Sequence, residues 1–298
     1  MTEKTAIALK TESHQDSTIV ITATVAANLV AKHQKDSMLH LGHDLTIKGF
    51  RRGKAPLNIL KESLDPQKVT NHTLEHIFPE IIKEVFKQHQ LKIIGNPTLT
   101  AVTTPDQAPW TVTLSFPLLP EFEIKGYQDK LKKAFKDLEA KTKKDANSKT
   151  KSDDKTQTPK DPQSEKLTAL LDTLLKEIEL TVPESLITQE VNQSLVRLYD
   201  HTQALGITVD QYLKSLGKTA EQIKQDYHQA ATENLKIEFI LDRIATDLDI
   251  AVNDDEITDM INASGDQQVK DQLNHPEQRA YVKGIIKKRK TIDALLNL

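Results

Sequence analysis

Cysteine is absent from this 298-residue chain, which excludes disulfides, thiolate zinc sites, iron–sulfur clusters and thiol nucleophiles in one step. Glycine is scarce, with 9 residues, and neither a G-x-G-x-x-G nor a G-x-x-x-x-G-K-[ST] run occurs. Phosphate-cradling nucleotide folds are therefore not expected. Nowhere do eighteen apolar residues run together, so no transmembrane helix is expected. The polar start Met1-Thr2-Glu3-Lys4 lacks the basic-then-apolar order of a signal peptide. A soluble, cytoplasmic, mostly helical protein without cofactors is the expectation. With 37% hydrophobic and 28% charged residues, the length suits about two domains.

The net charge of −3 conceals an uneven distribution: residues 1–136 carry +4, 137–165 carry 0, and 166–298 carry −7. A mildly basic first part and an acidic last part point to different partners. Between them, 137–165 offers only Leu138, Ala140 and Ala146 as apolar residues. Such a stretch cannot offset its ordering entropy by burial, so it reads as a polar flexible linker. The helical spacing of Tyr127, Leu131, Ala134, Phe135 and Leu138 places a helix just before it.

In the first part, Thr5–Thr11 and Thr18–Val25 read as strands joined by a polar turn at Ser13–Asp16. A helix follows, marked by Ala26, Leu29, Val30, His33, Ser37 and Leu41, and runs towards a basic tip at Lys48–Lys54. Pro56 opens a short helix through Leu64, and Asp65-Pro66 opens a longer one to about Gln90, since proline suits a first helical turn. Pro97–Thr104 and Trp110–Leu118 read as a strand pair, with Trp110, Val112, Leu114 and Phe116 on one face. The last part reads as helices at about Glu165–Glu177, Glu184–Leu205, Val209–Leu216, Ala220–Leu248, Asp254–Asn262 and Pro276–Leu296. Within it, Ile178–Ile187 is echoed by Leu248–Ile257 at an offset of 70: helix end, apolar extended piece, cap, new helix. The fold class is thus an α+β domain followed by an elongated all-α domain.

The most specific local feature is Gly49-Phe50-Arg51-Arg52-Gly53-Lys54-Ala55-Pro56. Three basic side chains stand within four positions between glycines that allow tight turns, and no apolar stripe is at hand to bury the phenylalanine. Such a tip suits a polyanionic surface with a shallow pocket for Phe50.

These residues resemble the signature G-F-R-x-G-K-x-P of trigger factor, the ribosome-associated bacterial chaperone family. Gly49, Phe50, Arg51, Gly53, Lys54 and Pro56 match its fixed positions, with Arg52 at the variable one. Residues 1–130 follow the family's ribosome-binding domain in order of elements, including the Leu119-Pro-Glu-Phe-Glu exit. Val182-Pro-Glu-Ser-Leu-Ile-Thr-Gln-Glu-Val, Tyr212-Leu and Ile237-Glu-Phe-Ile-Leu-Asp-Arg-Ile-Ala resemble its helical substrate-cradling domain.

The resemblance implies three parts: a ribosome-binding domain over 1–136, the linker over 137–165, and a helical substrate-binding domain over 166–298. It implies an ATP-independent chaperone that docks beside the nascent-chain exit of the large ribosomal subunit, on ribosomal protein and RNA. Gly49, Phe50, Arg51, Arg52, Gly53, Lys54 and Pro56 would form the ribosome-binding site. Unfolded nascent polypeptides would be its clients, and a second copy of the chain a candidate partner off the ribosome. A membrane partner is not implied. Trigger factors usually carry an FK506-binding-protein-like prolyl isomerase domain between these parts, which needs roughly a hundred residues. Only the polar stretch 137–165 stands in that place, so isomerase activity is not expected. A ribosome-independent cytosolic holdase is the alternative within the same class.

His72-Thr-Leu-Glu75-His76 fits the H-x-x-E-H arrangement of inverted zinc peptidases, with Glu75 as base. That chemistry needs a further acidic ligand from a second helix, and the bland reading, two solvated or half-buried helix histidines, is preferred. His40 and His43 show no companion cluster in the sequence. The run Lys287-Lys-Arg-Lys290 could contact RNA; lying between Ile285-Ile286 and Ile292 in one helix, it reads first as a solvated face.

Overall fold

The computed structural model describes residues 6–13, 17–89, 92–148, 162–263 and 267–298. The chain forms two compact units, residues 1–119 with 183–186, and residues 120–182 with 187–298.

In the first unit, period-two alternation becomes one antiparallel sheet of β1 (Ile7–Ser13), β2 (Thr18–Val25), β3 (Thr98–Thr103) and β4 (Trp110–Pro117), in the order β1-β2-β4-β3. The residues 14–16 of the expected first turn lie outside the described residues. The two strand pairs legible in the sequence are joined edge to edge by β2 against β4, with Thr18 opposite Pro117 and Val25 opposite Trp110. Ile19, Ile21, Ala23 and Val25 of β2 and Trp110, Val112, Leu114 and Phe116 of β4 all face one buried side. Onto it pack α1 (Ala27–His43), through Val30, and α3 (Pro66–Gln88), through Ile77, Ile81 and Val85. Each such fully buried aliphatic side chain contributes about 1.5–3 kcal/mol. Between these helices lies the short α2 (Leu57–Ser63). Asp65 caps α3, its carboxylate accepting from the Gln67 N–H at 2.9 Å ahead of Pro66.

The second unit consists of α4 (Tyr127–Ser148), α5 (Pro162–Glu177), α6 (Glu184–Ala204), α7 (Val209–Ser215), α8 (Ala220–Asp247), α9 (Asp254–Asn262), α10 (Gln267–Leu273) and α11 (Pro276–Leu296). Thr208 with Gln211 and Thr219 with Gln222 form reciprocal capping boxes that start α7 and α8. The echo at offset 70 is structural: α5 and α8 end at 177 and 247, and α6 and α9 begin at 184 and 254.

Helices enter the expected polar linker over 137–165 at both of its described ends. Helix α4 continues to Ser148 and α5 begins at Pro162; 149–161 lies outside the described residues. Lys, Glu and Ala, which dominate 136–144, are good helix formers even where they bury nothing, so low apolar content excluded a core and not a helix. The packed face of α4 is Tyr127, Leu131 and Phe135, set against α5. Lys130 pairs with Glu177, and Lys166 stands 4.6 Å over the Phe135 ring. The exit segment and α4 therefore belong to the helical unit, and the expected boundary at 136 moves to 119. Leu131 is fully buried, and Leu131→Ala should destabilise this unit by about 2–5 kcal/mol. Urea unfolding followed by far-UV circular dichroism measures this. A loss under about 1 kcal/mol would mean that α4 lies outside the cooperative core.

Candidate functional site

The loop from Asp44 to Pro56 connects α1 to α2. Its base is set by a close approach: a Cβ at Gly42 would press on the Leu60 side chain. Glycine here lets α2 seat its buried Leu60 on the end of α1 without displacing the Leu60 side chain. Within the loop, the Phe50 N–H donates to the Ile47 carbonyl at 3.1 Å and the Lys54 N–H to the Arg51 carbonyl at 2.9 Å. These two consecutive turns need left-handed backbone at Gly49 (φ 92°) and Gly53 (φ 73°), which side-chain-bearing residues adopt at a cost. Pro56, at φ −65°, ends the loop at the start of α2.

This framework presents a set of exposed groups. Phe50 is 40% exposed, and Lys48, Arg51, Arg52 and Lys54 are all exposed. Arg52 donates to Asp44 Oδ1 at 2.8 Å, and His43 Nδ1 lies 3.3 Å from the same oxygen. The His43 hydrogen bond, then the hydrogen bond and charge of Arg52, hold the Asp44 carboxyl below the usual carboxylate range. Asp44 thereby orients Arg52 along the loop. No acidic side chain pairs with Arg51 or Lys54 among the described residues, so both are free to meet an anion. All seven sequence-selected residues share this one loop. Gly42 and Asp44 were missed: neither carries a sequence signal, since one acts through a contact 18 positions away and the other through a charge 8 positions away.

The zinc-peptidase reading of His72, Glu75 and His76 is overturned by geometry. His72 Nδ1 is engaged with Ser37 Oγ at 3.1 Å, and no three metal-ligating side chains converge among the described residues. The histidines instead lie in the seam between α1 and α3, where His40 stands 4.9 Å and His76 4.7 Å from His72 between ring centres. His40 thus does have companions, supplied by a different helix.

The basic run of α11 is a clamp. Lys287 pairs with Asp242 at 2.8 Å, Lys288 with Glu238 at 2.6 Å, and Lys290 with Glu256 at 2.6 Å. Glu256 also accepts from the Asn253 N–H at 2.9 Å. The Lys290 hydrogen bond, followed by the one from Asn253, holds its carboxyl below the usual range. Three of the four cations are thus committed to α8 and α9.

The helical unit also leaves large apolar side chains in water. Val196 (59% exposed), Tyr199, Leu205 and Leu216 follow one another on α6 and at the ends of α6 and α7. In the same stretch of chain a small buried cluster of Leu198, Leu213 and Ile223 is packed by Val209, Tyr212 and Tyr227. Exposure of this kind marks binding surface when it recurs locally.

Comparison with known proteins bears on both units. Residues 7–151 match the family described as "Bacterial trigger factor protein (TF)", and residues 135–297 match "Bacterial trigger factor protein (TF) C-terminus". The two matched ranges overlap, leaving no unmatched stretch between them for an inserted domain. Among curated relatives, the chain is similar to a trigger factor of Salinispora arenicola, 28% identical over 45% of this chain and 32% of that one. A trigger factor of Streptomyces coelicolor is 33% identical over 30% of this chain and 19% of the relative. The match to one from Fusobacterium nucleatum is 28% identical over 45% of this chain and 34% of the relative. The matched stretches thus span about a third or less of those relatives' lengths. In fold, the chain is similar to a solved structure reported as "Promiscuous Substrate Recognition in Folding and Assembly Activities of the Trigger Factor Chaperone". The TM-score is 0.63 at 14% identity, covering 97% of this chain and 99% of that one.

Proposed function

This chain belongs to the trigger factor family, and on that premise we propose that it is an ATP-independent cytoplasmic holdase that docks on the large ribosomal subunit beside the nascent-chain exit. The observation that carries this reading is the Asp44–Pro56 loop, preformed by its two glycine turns and presenting Phe50 among the exposed cations Arg51, Arg52 and Lys54. A rigid loop has little ordering entropy left to lose on docking, so its contacts translate into affinity. Arg51, Arg52 and Lys54 neutralise phosphates of ribosomal RNA or carboxylates of a ribosomal protein, while Phe50 fills a shallow apolar recess. Cosedimentation of the full chain with purified ribosomes, repeated at rising salt, tests this directly. Binding that weakens steeply with salt is expected, and no pelleting at low salt would leave the ribosome-independent holdase in its place.

The helical unit would hold clients. Val196, Tyr199, Leu205 and Leu216 offer separate apolar contacts at roughly 25 cal/mol per Å² buried, which favours weak binding of many sequences over tight binding of one. The −7 charge of 166–298 keeps this surface soluble and favours segments that are basic as well as apolar.

We further read the chain as no enzyme. The overlap of the two matched ranges and the helical continuation of α4 to Ser148 support this, because no apolar strand-rich pocket is encoded between the two parts. The purified protein should leave cis-to-trans isomerisation of an X-Pro peptide at its uncatalysed tens to hundreds of seconds. A protease-coupled peptide assay measures this, and acceleration that copurifies with the chain through several columns would overturn the reading.

A further inference from the structure

Four imidazoles stand in a row along the seam of α1 and α3. His33 and His76 stack with ring centres 6.3 Å apart, His76 and His72 lie at 4.7 Å, and His72 and His40 at 4.9 Å. Behind them Ser37 and Thr73 are fully buried, and one turn away Val30 and Ile77 enter the core under the sheet. His33 is buried and His72 half-buried where α1 packs on α3, while His40 and His76 lie at the exposed edge of that seam. No three donors converge on one point among the described residues, so the arrangement does not suit a metal ion. What the rings share is their response to protons: neutral imidazoles pack together at these distances, and imidazolium ions repel. Burial, then the neighbouring His76 and His40, hold the His72 imidazole below the ordinary histidine value, with Glu75 acting weakly in the other direction.

We propose that this histidine row is an acid-sensitive latch: protonation in mild acid drives α1 from α3 and destabilises the sheet unit that carries the basic loop.

The surrounding charges do not supply enough counter-ions to prevent this. Helix α1 carries Lys32, Lys35 and Asp36 beside the row, and α3 carries Lys68, Glu75, Glu80, Lys83 and Glu84. Helix α2, packed on α1, adds Lys61 and Glu62. On β1, Lys10 and Glu12 pair with each other at 3.1 Å. Among the described residues only Glu80 reaches ion-pair distance of a ring in the row, 3.2 Å from His33 Nε2 and off the line of a hydrogen bond. One carboxylate thus pairs with one of four potential cations. The sign follows from linkage. A histidine depressed in the folded state binds its proton more readily when unfolded, so stability is whole above the unfolded value near 6.5. It is lost as pH falls through that value towards the lower folded one. Asp44, Glu177 and Glu256, all held below the usual carboxylate range, stay ionised down to pH about 5.5 and add nothing in this window. The latch operates whether or not the loop docks on a ribosome.

Trp110 is the single tryptophan of the chain and is 1% exposed in the core of this unit. Its emission therefore reads the unfolding of the sheet unit within the full-length protein. In urea titrations at pH 7.5 and 5.5, the wild type should show a several-fold rise in the unfolded-to-folded ratio at fixed urea on acidification, because the unfolded chain takes up protons that the folded row resists. The variant His40→Gln/His72→Gln/His76→Gln should lose most of that rise. An equal rise in both proteins, or none in the wild type, overturns the latch. If the triple variant does not fold at pH 7.5, titration of the wild-type imidazole resonances decides. At least one histidine of the row protonating below the ordinary value upholds the latch, and all four at or above it overturns it.

Discussion

Replacing Phe50, Arg51 and Arg52 together with alanine should abolish cosedimentation with ribosomes while leaving the fold untouched. The three side chains are exposed, and substitutions at such positions usually change stability by less than about 0.5 kcal/mol. The turns that shape the loop depend on Gly49 and Gly53, which remain. Binding loses two cations and its one apolar anchor at once. If both arginines reach phosphates, the slope of log affinity against log salt should flatten by about two for the residual binding. Trp110 emission and far-UV circular dichroism should match the wild type, which separates lost docking from lost fold. Unchanged pelleting of the folded triple variant would remove the loop from the docking reading. A companion variant sharpens the point: Asp44→Asn releases Arg52 from its 2.8 Å contact without touching a docking group. It should weaken binding far less than the triple substitution, because exposed ion pairs orient more than they bind.

The second large effect concerns the helical unit, and the structure dictates the fragment that tests it. A fragment of residues 120–298 retains α4 and so keeps Leu131 and Phe135 over Leu170 and Leu174 of α5, all buried in the intact unit. A fragment beginning at 166 would strip that cover and aggregate by itself. Residues 120–298 should suppress light scattering by a denatured protein diluted into buffer without ATP, with little dependence on salt, since apolar contacts carry the affinity. Changing Val196, Tyr199, Leu205 and Leu216 to serine should remove most of the protection. At about 1 kcal/mol for each partly buried anchor, the loss of all four weakens binding on the order of a thousandfold. Should residues 1–119 protect and 120–298 fail, the client surface would belong to the sheet unit.

Much of the molecule was decided by the sequence alone. The 3.6-residue spacing of Val30, His33 and Ser37, the two-residue alternation from Trp110 to Phe116, and the caps at Asp65, Thr208, Thr219 and Asn253 act over one or two turns. Elements placed by such signals lie where the structure has them. The loop at Gly49–Pro56 was legible for the same reason, its glycines and cations being neighbours in the chain. Helix α10 escaped notice because Gln267–Leu273 is mostly polar. It is held by Leu273 against the cluster of Ile257, Ile261 and Val282, a tertiary contact and not a local preference.

Tertiary structure alone decided the rest. Strands β2 and β4 pair across some ninety residues, and nothing within either strand names its partner, because any strand of matching alternation satisfies the same backbone groups. Helix α4 belongs to the helical unit because Leu131 and Phe135 found α5, although chain order allowed either neighbour. The lysines of α11 became a clamp, and the histidines of α1 and α3 a row, because helix packing brought side chains tens of residues apart to within 3 to 5 Å. A sequence fixes the period and charge of each face; which faces meet depends on the total area they bury together, a property of the whole unit that no local stretch contains.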